Sequence, residues 1–263
     1  MAITTLADLT PAECLVLLDP NAADAKTAIK MTLLDLWARQ TIRFTMRQER
    51  TRFRGMSKNK IFLMRGFSEH VFPTKHHEQV LQDGLPMPGD IELKKFARQA
   101  ATRIRSVRNY KEEFLLQPMC RAGLLEKQRS AFLFTRYELT ELGRDLNGQL
   151  VRNLGEAEAH MPAWLATDLI KAKRLLAQLG TKILLLPNLV DLMRDAKDRL
   201  VLSPLPEIIA GADLASWHQN STLLGRTLIE LEVVFDLLNR SEAIFSETLA
   251  AIDTVSFDRG SDG

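Results

Sequence analysis

The sequence lacks the features of secreted, membrane-spanning and disordered proteins. Its 263 residues include two cysteines, Cys14 and Cys120, each in an apolar helical pattern without a Cys-x-x-Cys partner, so we expect two free thiols. Glycine (13) and proline (10) are too sparse, and hydrophobic residues (46%) too frequent, for general disorder. No apolar run approaches the roughly 20 residues that span a bilayer, and the N-terminus lacks a signal-peptide pattern. The sequence predicts a cytoplasmic protein.

Motifs that support catalysis are also missing. There is no Gly-x-Ser-x-Gly turn and no glycine-rich phosphate-binding loop. The histidine cluster of His70, His76 and His77 with Glu78 lacks His-x-x-x-His spacing, and adjacent histidines point to different faces of a helix. We therefore predict no metal site, no cofactor and no enzymatic activity.

Residues 1–68 predict two helices followed by a β-hairpin. Thr10 suits the N-cap of the first helix, with Pro11 at the first helical position and Glu13 completing a capping box. Apolar residues recur at helical spacing over 22–40. Two short apolar runs, 41–44 and 61–64, then flank a basic segment that we expect to be an exposed hairpin loop. Helix, helix and hairpin are the order of a winged helix.

The pattern recurs over 69–150, which predicts a second winged-helix-like module. We expect helices over 74–81 and 91–104, the second capped by Asp90, then another helix capped by Asn109. Pro118 should kink or end that helix, Gly123 suits its C-cap, and 131–134 reads as a strand. The segment Tyr137 to Arg144 resembles the end of many winged-helix domains.

The remainder is predicted to be helical as far as residue 252, with an acidic, glycine-containing flexible tail over 253–263. The expected helices cover 145–160, 163–179, 189–200 and 213–238. The fold class is thus mainly α with small β-hairpins (α+β): tandem winged-helix-like modules, 1–68 and 69–150, followed by a helical region, 151–252.

Positive charge is concentrated in the two predicted modules. The net charge is only +2, but 38–60 holds eight Lys or Arg and one acid, and 94–111 holds seven and none. Such asymmetry favours an acidic partner, and arginine offers a planar fork suited to phosphate oxygens. The predicted polyanion-binding residues are Arg39, Arg43, Arg47, Arg50, Arg52, Arg54, Lys58, Lys60, Lys94, Lys95, Arg98, Arg103, Arg105 and Arg108.

Three stretches resemble the Golgi phosphoprotein-like family. They are Leu33-Leu34-Asp35-Leu36-Trp37-Ala38-Arg39, Arg105-Ser106-Val107-Arg108, and Gly123-Leu124-Leu125 followed by Phe132-Leu133-Phe134. The resemblance implies a largely helical protein at a membrane surface that binds an anionic phosphoinositide headgroup. It implies Trp37, Arg39, Arg105 and Arg108 as the headgroup-binding residues. The tandem winged helices also resemble domains of uncharacterised bacterial proteins, which imply no activity.

Three functions remain open for a non-enzymatic binding protein. Nucleic-acid binding is favoured, because a winged helix places a helix in the major groove and a basic wing on the backbone. A peripheral membrane protein that binds phosphoinositides is the first alternative. A protein-interaction scaffold is the second, in which the 213–238 helix joins a partner protein or a second copy of the chain.

Overall fold

A computed structural model describes residues 5–50, 57–66, 74–129, 135–189 and 192. Helices dominate, and two small antiparallel sheets accompany them, which confirms the mainly α class with small β elements. Within these ranges no helix combines the length and the apolar character needed to cross a bilayer. The predicted strand over 131–134, the tail, the 213–238 helix and nearly all of the 189–200 helix lie outside the described residues.

The helices are α1 (Pro11–Leu18), α2 (Ala25–Ala38), α3 (His76–Gln82), α4 (Leu93–Ile104), α5 (Val107–Asn109), α6 (Gln117–Arg121), α7 (Glu141–Thr167) and α8 (Leu169–Leu179). A π-helix (Tyr110–Leu116) joins α5 to α6, and short 3-10 helices cover Leu6–Asp8 and Gly180–Leu185. The strands are β1 (Ile42–Arg50), β2 (Ser57–Arg65), β3 (Asp90–Glu92), β4 (Leu125–Arg129) and β5 (Thr135–Leu139).

Side-chain caps set the starts of the first two helices. Thr10 Oγ1 accepts a hydrogen bond from the Glu13 amide, and the Glu13 carboxylate accepts one from the Thr10 amide at 2.8 Å. This capping box confirms the predicted start of α1, with Pro11 at the first helical position. Asp24 caps α2 by accepting from the Thr27 amide at 2.8 Å.

The first hairpin is longer than its sequence predicts. β1 and β2 pair antiparallel from Ile42 opposite Arg65 to Arg50 opposite Ser57, so most of the expected loop is strand. The prediction of a loop over 45–59 was therefore wrong at both ends, because cross-strand pairing stabilises polar residues that local propensity assigns to loops. Residues 51–56 lie outside the described part.

Asp90 belongs to a strand and does not cap a helix. It pairs with Met64, so β3 completes a three-stranded sheet in the order β1-β2-β3. The predicted cap was wrong for this reason, and α4 begins at Leu93 after Glu92, which makes no side-chain cap bond.

The segment from α5 through the π-helix to α6 also begins differently from the predicted helix, which Asn109 was expected to cap. Asn109 has helical backbone angles and no capping bond, whereas Ser106 Oγ accepts from the Asn109 amide at 3.0 Å. Pro118 lies inside α6, just after the π-helix, and the helix continues to Arg121. Gly123 follows with φ +75°, the left-handed conformation predicted for a helix end.

Two helices cover 145–179, as expected, but the break between them lies at another position. α7 runs through Pro162 without ending, and the break falls at Asp168, whose carboxylate accepts from the Lys171 amide at 3.1 Å. The prediction of a boundary near 161–162 was wrong, because an exposed proline can be accommodated within a long packed helix while Asp168 supplies a cap.

A single hydrophobic cluster runs through the described residues from Leu6 to Leu192. β3 completes the sheet of the first hairpin, and Asn21 binds both the amide and the carbonyl of Tyr137, at 3.1 and 2.9 Å. The two predicted modules therefore share contacts and core. The division at residues 68 and 150 and the winged-helix arrangement stay predictions.

Two glycines of α7 provide a matched test of this packing. A Cβ at Gly143 would lie 2.1 Å from the Leu124 carbonyl oxygen, whereas one at Gly155 would meet nothing within 4 Å. Gly143→Ala should destabilise the protein by roughly 1–3 kcal/mol through overpacking. Gly155→Ala should stabilise it by about 1 kcal/mol through helix propensity. Urea unfolding measures both changes. Equal stability of the two variants would contradict the close packing of α7 on Leu124, just before β4.

Candidate functional site

The structure divides the predicted cations into paired and exposed groups. Arg47 binds Asp90, Lys60 binds Glu92 at 3.3 Å, and Arg103 lies 3.8 Å from Asp83. Arg43 is exposed on β1 and also has an interaction partner. Arg52 and Arg54, and the side chains of Arg50 and Lys58, lie outside the described part.

Arg39 is not part of a surface patch. Its guanidinium binds Asp35 at 2.7 Å, one helical turn earlier on α2, and also binds Glu78 on α3. Both carboxylates are buried, with side-chain exposures of 2% and 0%. Arg39 therefore provides a shared cationic partner for two carboxyl groups that the fold has removed from water.

Further polar groups surround this pair, and we call the whole set the Arg39 cluster. Its members are Thr10, Glu13, Asp35, Arg39, Lys75, His77 and Glu78. Lys75 binds Glu13, and its amide donates to Glu78 at 2.8 Å. The His77 Nε2 atom lies 3.1 Å from Thr10 Oγ1. The cluster thus connects α1, α2 and α3 through ion pairs and capping bonds.

Burial changes the protonation of two neighbouring groups in opposite senses. It lowers the pKa of His77 to about 4, because the buried imidazole is stable only when neutral. Burial, together with the nearby Asp35 carboxylate, raises the pKa of Glu78 to about 7 although Arg39 opposes the change. The two shifts make the stability of the cluster dependent on pH.

Trp37 lies on α2, belongs to the hydrophobic core and is only 9% exposed. Its neighbours along the helix, Leu33, Leu34 and Leu36, are buried as well. Neither Trp37 nor Arg39 is therefore presented to solvent as a headgroup contact would require.

The remaining predicted cations are exposed, and we call them the α4 face. They are Lys94, Lys95, Arg98, Arg105 and Arg108. Among the described residues no carboxylate lies within 4.0 Å of any of them. These five cations retain their full capacity to bind an external anion.

The amphipathic pattern of α4 places its cations in solvent. Leu93, Phe96, Ala100 and Ile104 recur at helical spacing and are buried against the core. Lys94 and Arg98 lie one turn apart on the opposite side. α4 ends at Ile104, the next residue Arg105 has a left-handed φ of +61°, and Arg108 follows on α5.

The segment 110–122, which precedes the hairpin of β4 and β5, packs one face on the core and exposes the other. Tyr110, Leu115 and Met119 are each 0% exposed, and the Tyr110 hydroxyl lies 2.7 Å from Thr32 Oγ1. The other face carries the acids Glu112 and Glu113.

The sequence predictions missed most of the Arg39 cluster. An acid inside an apolar helix, as in Leu33-Leu34-Asp35-Leu36, is a signal of a buried carboxylate that requires a cation. The sequence predicted no metal site at His70, His76, His77 and Glu78, and of these His70 lies outside the described part. In the ranges that the structure describes, no three His, Cys, Asp or Glu side chains are grouped as metal ligands.

No family model, no curated protein and no solved structure matches this chain.

Proposed function

We propose that the chain is a binding protein that attaches to anionic membrane surfaces through the α4 face. The observation that carries the proposal is the group of five exposed cations without carboxylate partners in the described residues. Basic residues near a membrane each contribute about 1 kcal/mol of attraction to anionic lipid. The resemblance of Arg105 and Arg108 to an Arg-x-x-Arg pair of phosphoinositide-binding proteins supports the same ligand chemistry.

Nucleic acid is the second candidate ligand. Between its cations α4 exposes Gln99 and Thr102, whose side chains can hydrogen bond to base edges. The acids on the segment before the second hairpin favour lipid, because in a winged helix that segment would enter the major groove, where Glu112 and Glu113 would be repelled by the phosphates. Binding to phosphates of nucleic acid through α4 alone would be strongly dependent on salt.

The α4 face can be tested by reversing charges at matched positions. The double variant Arg105→Glu/Arg108→Glu should bind vesicles of phosphatidylcholine and phosphoinositide at least about 30-fold more weakly than the wild type. The control, Arg152→Glu/Arg174→Glu, reverses two exposed arginines of α7 and α8 and should bind like the wild type. The control has the same net charge, so a difference between the variants reports the position of the charge. Co-sedimentation at low and physiological salt measures the affinity.

A parallel mobility shift with random-sequence duplex DNA distinguishes the two candidates. Binding to vesicles but not to DNA supports the membrane proposal, and binding to DNA alone overturns it in favour of nucleic acid. Binding to neither vesicles nor DNA would exclude both candidate ligands and leave the protein-interaction scaffold.

A further inference from the structure

A cavity of about 700 Å³ lies beside the Arg39 cluster. Residues from the α1 start, α2, α3, α6 and the 3-10 helix Gly180–Leu185 line it. Its volume lies within the roughly 300–1,000 Å³ of typical small-molecule sites. Leu9, Phe114 and Pro118 supply an apolar part of the wall.

The cavity wall includes a buried lysine that lacks a counterion. Lys182 is 6% exposed, and among the described residues no carboxylate lies within 4.0 Å of its ammonium group. Its side chain makes no hydrogen bond to the described residues and lines the cavity, so the ammonium group can pair with an anion that enters.

The same wall contains an unsatisfied hydrogen-bond acceptor. Asp35 is 2% exposed, and its Oδ2 atom accepts from Arg39. Its Oδ1 atom has no hydrogen-bond partner. The Nε–H of Arg39 in the same wall is also without a partner, and a ligand that both donates and accepts hydrogen bonds would satisfy both atoms.

We propose that this cavity binds a small zwitterion with an apolar side chain, of the class of free hydrophobic α-amino acids. The ligand carboxylate pairs with Lys182, its ammonium group donates to Asp35, and its side chain packs on Phe114 and Pro118. The cavity and the α4 face use different residues, so this site goes beyond the proposed membrane attachment and does not depend on it.

Three probes of similar shape separate the two charges of the ligand. Isothermal titration calorimetry of the full chain should detect binding of L-leucine. Binding should be at least about 10-fold weaker for 4-methylpentanoate, which lacks the ammonium group, and for 3-methylbutylamine, which lacks the carboxylate. This series requires no variant and so cannot fail through misfolding.

Two lysine substitutions, one in the cavity and one outside it, test the position of the site. Lys182→Met should reduce L-leucine affinity at least about 10-fold, whereas Lys171→Met, which removes an exposed lysine of α8, should not change it. Arg105→Glu/Arg108→Glu should also bind L-leucine normally, which separates this proposal from the membrane proposal. Any of three results would overturn the amino-acid proposal. They are no heat with L-leucine at about 10 mM, binding of 4-methylpentanoate as tight as that of L-leucine, and wild-type affinity for L-leucine in Lys182→Met.

Discussion

Replacing Arg39 by methionine should lower the free energy of unfolding by about 3–5 kcal/mol. The substitution leaves the buried carboxylates of Asp35 and Glu78 without their shared cation. A methionine fills much of the arginine volume, so the loss reports uncompensated charge and not a cavity. Urea unfolding at neutral pH measures the change.

The control is the same substitution at Arg47, another arginine of the predicted polyanion set. The Arg47 side chain pairs with Asp90 but is 53% exposed. Arg47→Met should therefore lower the free energy of unfolding by no more than about 1 kcal/mol. Equal costs at the two positions would mean that Arg39 does not have the structural role assigned to it here.

The neighbouring pair His77 and Glu78 should give opposite dependences on pH. The folded-state pKa of His77 is lowered to about 4 from 6.5, so its contribution to stability is present above pH 6.5 and is lost as the pH falls through 4. The folded-state pKa of Glu78 is raised to about 7 from 4.5, so its contribution is present below pH 4.5 and is lost as the pH rises through 7. In the wild type the two dependences oppose each other between pH 4.5 and 6.5.

Single substitutions should reveal each dependence in turn. The stability of His77→Gln relative to the wild type should fall as the pH rises from 4 to 6.5. That of Glu78→Gln should rise as the pH increases from 4.5 to 7, and each change should be on the order of 2 kcal/mol. Urea unfolding of all three proteins over pH 4–8 provides the comparison, in which the background from other groups cancels. Flat differences, or slopes of one sign, would refute the assigned protonation states.

Features set by neighbouring residues could be predicted from the sequence. The capping box of Thr10 and Glu13, the helix of residues 25–38 and the left-handed Gly123 depend on contacts within a few positions. Local signals were therefore sufficient for most of the helices.

Features that depend on distant partners could not be predicted in the same way. Asp90 has the composition of a cap, but its pairing with Met64 makes it a strand residue. Arg39 belongs to a basic run in the sequence, yet its partner Glu78 lies on another helix. The cavity lysine, Lys182, lines the same cavity as Asp35 only through folding, and no local pattern joins the two.

Chemical footprinting tests most directly whether the predicted cations divide between the Arg39 cluster and the α4 face. The protein is acetylated with and without phosphoinositide vesicles, and each lysine is quantified by mass spectrometry. Bound protein should show strong protection of Lys94 and Lys95, whereas the exposed Lys26 and Lys171 should react as in the free protein. Unchanged labelling of Lys94 and Lys95 in vesicle-bound protein, with protection confined to Lys58 and Lys60, would contradict the account and place the binding surface on the first hairpin.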